Sequence, residues 1–126
     1  MTKEEILEGN KLIAEFMGAI AIDNYPDHAL LDFVKKENYP NDSRYHSNSL
    51  LRYHFDWSWI IPVIKRIESV RNITVAIAAS TCRIWNFTDC LFSMFGETKE
   101  EAVFSAIIQF VKYYNFNNKN LASDQM

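Results

Sequence analysis

Glycine and proline are scarce in this chain, with three of each among 126 residues. The glycines stand at positions 9, 18 and 96, too far apart to build a phosphate-cradling loop. Neither a G-x-S-x-G elbow nor an H-E-x-x-H pair occurs. Together these absences remove the common nucleotide, hydrolase and zincin readings. Cysteine is scarce too. Cys82 and Cys90 are the only two, which suits free thiols in a reducing cytoplasm better than a disulfide framework. No apolar run approaches the roughly 20 residues that cross a bilayer, so no membrane role is expected. Behind Met1-Thr2-Lys3-Glu4-Glu5 no apolar segment follows a basic start, so a secretory leader is not expected and a cytoplasmic location is.

Excess charge is also lacking. Thirteen Lys and Arg against sixteen Asp and Glu leave a net charge of −3, no global attraction for nucleic acid. The acids concentrate in residues 1–37, with eight against four Lys, while residues 38–95 carry six basic and four acidic groups. A local excess of two positive charges is too small for a phosphate-tracking stripe, so no DNA or RNA partner is expected. What the chain does have is apolar and aromatic residues, at 48% and 14%. That is the composition of one ordinary globular domain.

The apolar residues fall into helical and alternating patterns. Thr2 and Glu5 have capping-box spacing, and Ile6, Ile13, Phe16, Met17 and Ile20 form a stripe behind them, predicting a helix over 3–18 that stops at Gly18. Gly9 inside this helix costs about 1 kcal/mol relative to Ala, which points to a close neighbour or a frayed first turn. Residues 58–71 form a second helix, with Trp59, Ile60, Val63, Ile64, Ile67 and Val70 as its stripe. Asp56 or Ser58 is the candidate cap, and Pro62 is placed in or near the first turn. Thr98 and Glu101 cap a third helix over 98–115. Between the last two helices, Ile73-Thr74-Val75-Ala76-Ile77-Ala78 and Cys82-Arg83-Ile84-Trp85-Asn86-Phe87 alternate and should pair as a hairpin across 73–87. The fold class that follows is α+β, a small antiparallel sheet with a possible further strand and three main helices. Residues 1–116 make the domain, and 117–126 are expected to form a mobile tail.

Residues 23–49 read less clearly. Turn clusters surround Tyr25-Pro26 and Tyr39-Pro40; residues 29–34 between them suit a short helix or a strand, and 43–49 a loop. Residues 88–97 read as a connection ending in Gly96.

Asn10-Lys11-Leu12-Ile13-Ala14-Glu15-Phe16-Met17-Gly18 resembles the opening of a group of small proteins from Bacteroides-type bacteria and their phages. The same group carries a tyrosine-histidine pair before a tryptophan-rich helix start, here Tyr53-His54-Phe55-Asp56-Trp57-Ser58-Trp59-Ile60. The closing helix, from Thr98-Lys99-Glu100-Glu101-Ala102 to Tyr114-Asn115, is similar as well. Residues 19–50 are unmatched, and here Asp56 precedes Trp57 and Ser58 follows it, where the group places Ser and then Asp. A more distant similarity is to phage domains that layer helix, sheet and helix. The resemblance implies an α+β fold and a phage or mobile-element setting, and it carries over no reaction and no catalytic residue.

Two sets of residues are candidates for function. Trp57 and Trp59, two apart on a helix start, and Trp85 on the hairpin are candidate contacts for a protein partner; the competing reading makes one of the first pair core and the other its partly exposed lid. This leads to a non-enzymatic interaction protein. The alternative is a metal-binding protein or small enzyme. Arg44-Tyr45-His46 recurs as Arg52-Tyr53-His54, and His46, His54 and Asp56 have the ligand types of a zinc or iron site, although eight-residue spacing matches no standard local motif. No cofactor is expected, and no catalytic residue is singled out. Cys82 shares a strand face with Ile84 and reads as a buried, inert thiol. Trp85 and Phe87 lie opposite them, so an apolar outer face predicts a monomer or a weak homodimer.

Overall fold

A computed structural model describes residues 1–25 and 28–124, with side chains described up to residue 22 and from 30 to 118. It has the α+β architecture expected, with two three-stranded antiparallel sheets and three main helices. Helix α1 spans Lys3–Phe16, and Thr2 caps it by accepting the Glu5 amide at 3.1 Å. The helix stops where expected, because Gly18 turns to φ 97°, a conformation open mainly to glycine. Gly9 has the close neighbour. A Cβ built there would lie 2.5 Å from Ile108 Cδ1 and 2.7 Å from Phe104 Cζ.

The first sheet comprises β1 (Ile20–Tyr25), β2 (His28–Asp32) and β3 (Tyr45–Ser47), in the order β1-β2-β3. Residues 29–34 thus begin in a strand, and the expected loop at 43–49 contains one. The turn expected at Pro26-Asp27 lies outside the described residues. Register places His46 opposite the fully buried Leu31, and beyond the strand Phe33 is fully buried as well. Arg44 grips Asp32 through two hydrogen bonds of 2.6 and 2.9 Å. Between β2 and β3 the chain makes two 3-10 turns, Lys36–Asn38 and Pro40–Asp42.

Helix α2 spans Trp57–Glu68 with Asp56 as its cap. Pro62 sits at its sixth position, early in the second turn, so the carbonyl of Ser58 loses its usual helical donor. Pro62 and Ser58 are both solvent-exposed, so the missing bond lies on the outer side of the helix and costs little.

Strands β4 (Ile73–Ala78) and β5 (Thr81–Asn86) form the expected hairpin, turning through Ala79 at φ 52°. The stretch expected as a connection is mostly a third strand, β6 (Asp89–Phe95), which pairs with β5 across a register shift at Ile84/Trp85. The β4 edge is partly occupied. The Val75 amide donates to Glu68 Oε2 at 3.1 Å and the Ile73 amide to the Val70 carbonyl at 3.2 Å. No side chain bonds an outward amide of β6 among the described residues.

Helix α3 runs Lys99–Asp124, so 116–124 continue the helix past the expected end near Asn115. No glycine or proline occurs after Gly96, and asparagine interrupts a helix only weakly. The core lies where α3 crosses α1 and covers the inner face of the second sheet. Its fully buried side chains include Ile13, Leu51, Ile60, Ile67, Ile84, Phe104, Ile107 and Phe110.

Candidate functional site

The lead-in to α2 carries most of the residues singled out by sequence. Residues 52–56 make a turn closed by the Asp56 amide on the Arg52 carbonyl at 3.0 Å, and Arg52 returns an ion pair to Asp56 at 3.2 Å. Asp56 Oδ1 accepts from the Ser58 amide at 3.0 Å and from Ser58 Oγ at 2.7 Å. These bonds from Ser58, helped by Arg52, hold the Asp56 carboxyl below its usual range. Asp56 is therefore committed as a helix cap.

The two histidines serve different neighbours. His46 Nε2 lies 2.9 Å from the Ser43 carbonyl and 3.2 Å from that of Pro40, so it carries the proton and donates. Its ring packs edge-on against Phe33 at 5.6 Å and Trp59 at 5.3 Å. His54 Nδ1 instead accepts from Asn10 Nδ2 at 3.0 Å, and its ring meets Phe55 at 4.6 Å and Phe104 at 5.9 Å. Burial pushes the His54 pKa down. Among the described residues, no group of three His, Cys, Asp or Glu is arranged to hold a metal ion. The candidate set His46, His54 and Asp56 is split between a loop anchor, a buried amide and a cap.

The three tryptophans are also spread apart. Trp59 is 6% exposed and packs edge-on against Tyr53 at 5.2 Å, which corrects its candidacy as a contact residue: it is core. Trp57 is half-buried, and its indole donates to Glu100 Oε1 at 2.7 Å, tying the start of α2 to the start of α3. One core tryptophan beside one partly exposed neighbour is the competing reading given above. Trp85 is half-buried on the face of β5 opposite the buried Cys82 and Ile84. Burial raises the Cys82 pKa to about 11, so this thiol is not poised as a nucleophile.

That opposite face of the second sheet is open. Register lines up Thr74, Trp85 and Cys90 in one row, Ala76, Arg83 and Ser93 in the next, and Ala78, Thr81 and Phe95 in the third. Most of these residues are exposed, Phe95 at 71%, and Phe87 beyond the strand end at 73%. Arg83 Nε donates across the strands to Ser93 Oγ at 3.3 Å. The helices pack on the other side. The face is mixed, with Trp85 and Phe95 set among Thr74, Arg83, Ser93 and Thr81, and Phe95 carries no signal in the sequence because 88–97 reads as a connection.

A second feature was also missed. A cleft of about 90 Å³ lies between the 3-10 turns and the start of α2, lined by Glu37, Tyr39, Asn41, Tyr53 and Trp59 among others. Nothing local in the sequence announces it, because its walls come from segments twenty residues apart.

No family model, curated protein or solved structure matches this chain.

Proposed function

We propose that this chain is a non-enzymatic interaction protein, an accessory factor of a phage or other mobile element, working in the cytoplasm of its host. The observation that carries the reading is the open face of the second sheet, where Trp85, Phe95, Ala76 and Ala78 meet solvent with no helix over them. A half-buried tryptophan with Thr74 and Cys90 beside it and Ala76 and Arg83 in the next row combines the Trp and Arg side chains that enrich interface hot spots. The first partner to test is a second copy, because a two-fold contact needs only this one face. The mobile-element setting is supported by the three stretches that resemble phage and Bacteroides-type proteins. The rival metal or enzyme reading has no support at His46, His54 and Asp56, whose side chains serve loop, core and cap.

Light scattering over a concentration series tests the reading, with Trp85→Ala and Phe95→Ser as variants and pull-down from host lysate alongside. The expected result is a mass that rises from one chain towards two, with association weakened about tenfold or more in Trp85→Ala. A single-chain mass throughout, together with identical lysate partners for wild type and both variants, would overturn it.

A further inference from the structure

The cleft beside Trp59 holds an unsatisfied group. Tyr53 is 3% exposed, yet its hydroxyl makes no hydrogen bond among the described residues. It is also not one of the fully enclosed orphan atoms; Asn10 Oδ1 alone has that status there. The remaining exposure of Tyr53 therefore opens into the cleft that it lines. A hydroxyl that faces an open cleft without a protein partner is free to bond a ligand or an ordered water. Burial alone raises the Tyr53 pKa, so the phenol stays neutral.

The rest of the lining narrows the class of ligand. Glu37 is its one charged side chain; no lysine, arginine or histidine is present to attract an anion. Tyr39, Tyr53 and Trp59 supply aromatic walls, and Asn38 and Asn41 add carboxamide groups. Electron-rich rings beside a carboxylate favour cations. On the measure by which one water needs about 10–15 Å³, the 90 Å³ cleft has room for a small head group as well as for water. The turn that contributes Asn41 to the lining runs through Asn41 at φ 52° and Asp42 at φ 61°, left-handed states that Asn and Asp adopt readily.

We propose that this cleft binds a small organic cation, an alkylammonium group that sits against Tyr39, Tyr53 and Trp59, with Tyr53 Oη as an acceptor and Glu37 as counter-charge. The cation could be free or carried on a lysine side chain. The site is separate from the open sheet face, since Trp85 is not part of its lining.

Two-dimensional NMR titration tests this at constant ionic strength, using ethylammonium, choline and the methylamide of Nα-acetyl-lysine, with sodium acetate as the anion control. Saturable shifts are expected at the amides around 37–41 and 58–61 and at the Trp59 indole, with acetate producing none. Tyr53→Phe and Glu37→Gln should each weaken binding about tenfold. Tyr53→Phe breaks no internal hydrogen bond and Glu37 is exposed, so both variants should keep the wild-type melting temperature. Trp85→Ala should titrate as wild type whether or not it disrupts self-association, which separates this site from the sheet face. Tighter binding of the lysine derivative assigns the cation to a protein partner, and equal binding assigns it to a free amine. The proposal fails if no cation gives saturable shifts, if acetate gives the same ones, or if both cleft variants bind like wild type.

Discussion

His54 accepts a proton-bearing nitrogen of Asn10, a role that only the neutral imidazole can fill. Desolvation also favours the neutral form, so the folded pKa lies below the ordinary value of 6.5. An unfolded chain then binds more protons than the folded one between those two values. Stability from this residue is therefore complete above about pH 6.5 and falls as the pH drops through the folded pKa. Thermal melts between pH 7.5 and 5 should record a fall in melting temperature that is shallower in His54→Gln. If the two profiles are parallel, His54 does not report the fold. Gly9 offers a second test at this scale. Alanine there would gain about 1 kcal/mol of helix propensity, but its methyl meets Phe104 and Ile108 at impossible distances. Overpacking of about 1–3 kcal/mol should win, so denaturant melts of Gly9→Ala should show net destabilisation of roughly 1 kcal/mol.

Elements differ in how well local pattern defines them. In α2 the cap and the proline act in opposite directions. Asp56→Ala should cost about 1 kcal/mol, through loss of the bonds to Ser58. Pro62→Ala should stabilise by about 1 kcal/mol or more by restoring a helical amide at an exposed position. Both are read by chemical denaturation, and a destabilised Pro62→Ala would show that the ring packs as well as interrupts. The three helices were legible because Ile13, Val63, Ile67, Val103, Ile107 and their neighbours repeat at one helical period. The hairpin was legible because Val75 and Ile84 alternate with exposed residues around a short turn. The first sheet was not, since β3 has three residues and β2 five, too few for any period to register. In β6 the alternation of Phe92 and Met94 with Ser93 and Phe95 exists, but the register shift beside Trp85 breaks its continuity. The candidate sites follow the same logic. Trp85 could be named because it sits in a readable strand; the Tyr53 cleft could not, because it forms only when residues 37–41 fold onto α2.

The whole molecule carries a net charge of −3 without a basic stripe. Fluorescence anisotropy with labelled DNA and RNA at physiological salt should therefore show no tight binding, and a sub-micromolar affinity with a steep salt dependence would contradict this. The partly occupied β4 edge has a consequence for assembly. Glu68 and Val70 hold the outward amides of Val75 and Ile73, and the single remaining one, Ile77, is too little to template a strand, which leaves β6 as the reactive end of the second sheet. In polymer terms each such sheet has a functionality of one. Two monofunctional units can join end to end, and the product then has no growing end, so addition through this sheet terminates at a pair and does not run on into a fibre. Glu68→Ala would free the Val75 amide beside that of Ile77 and raise the functionality towards two, with Ile73 still held by Val70. That variant should become turbid and bind thioflavin at concentrations where the wild-type protein stays clear.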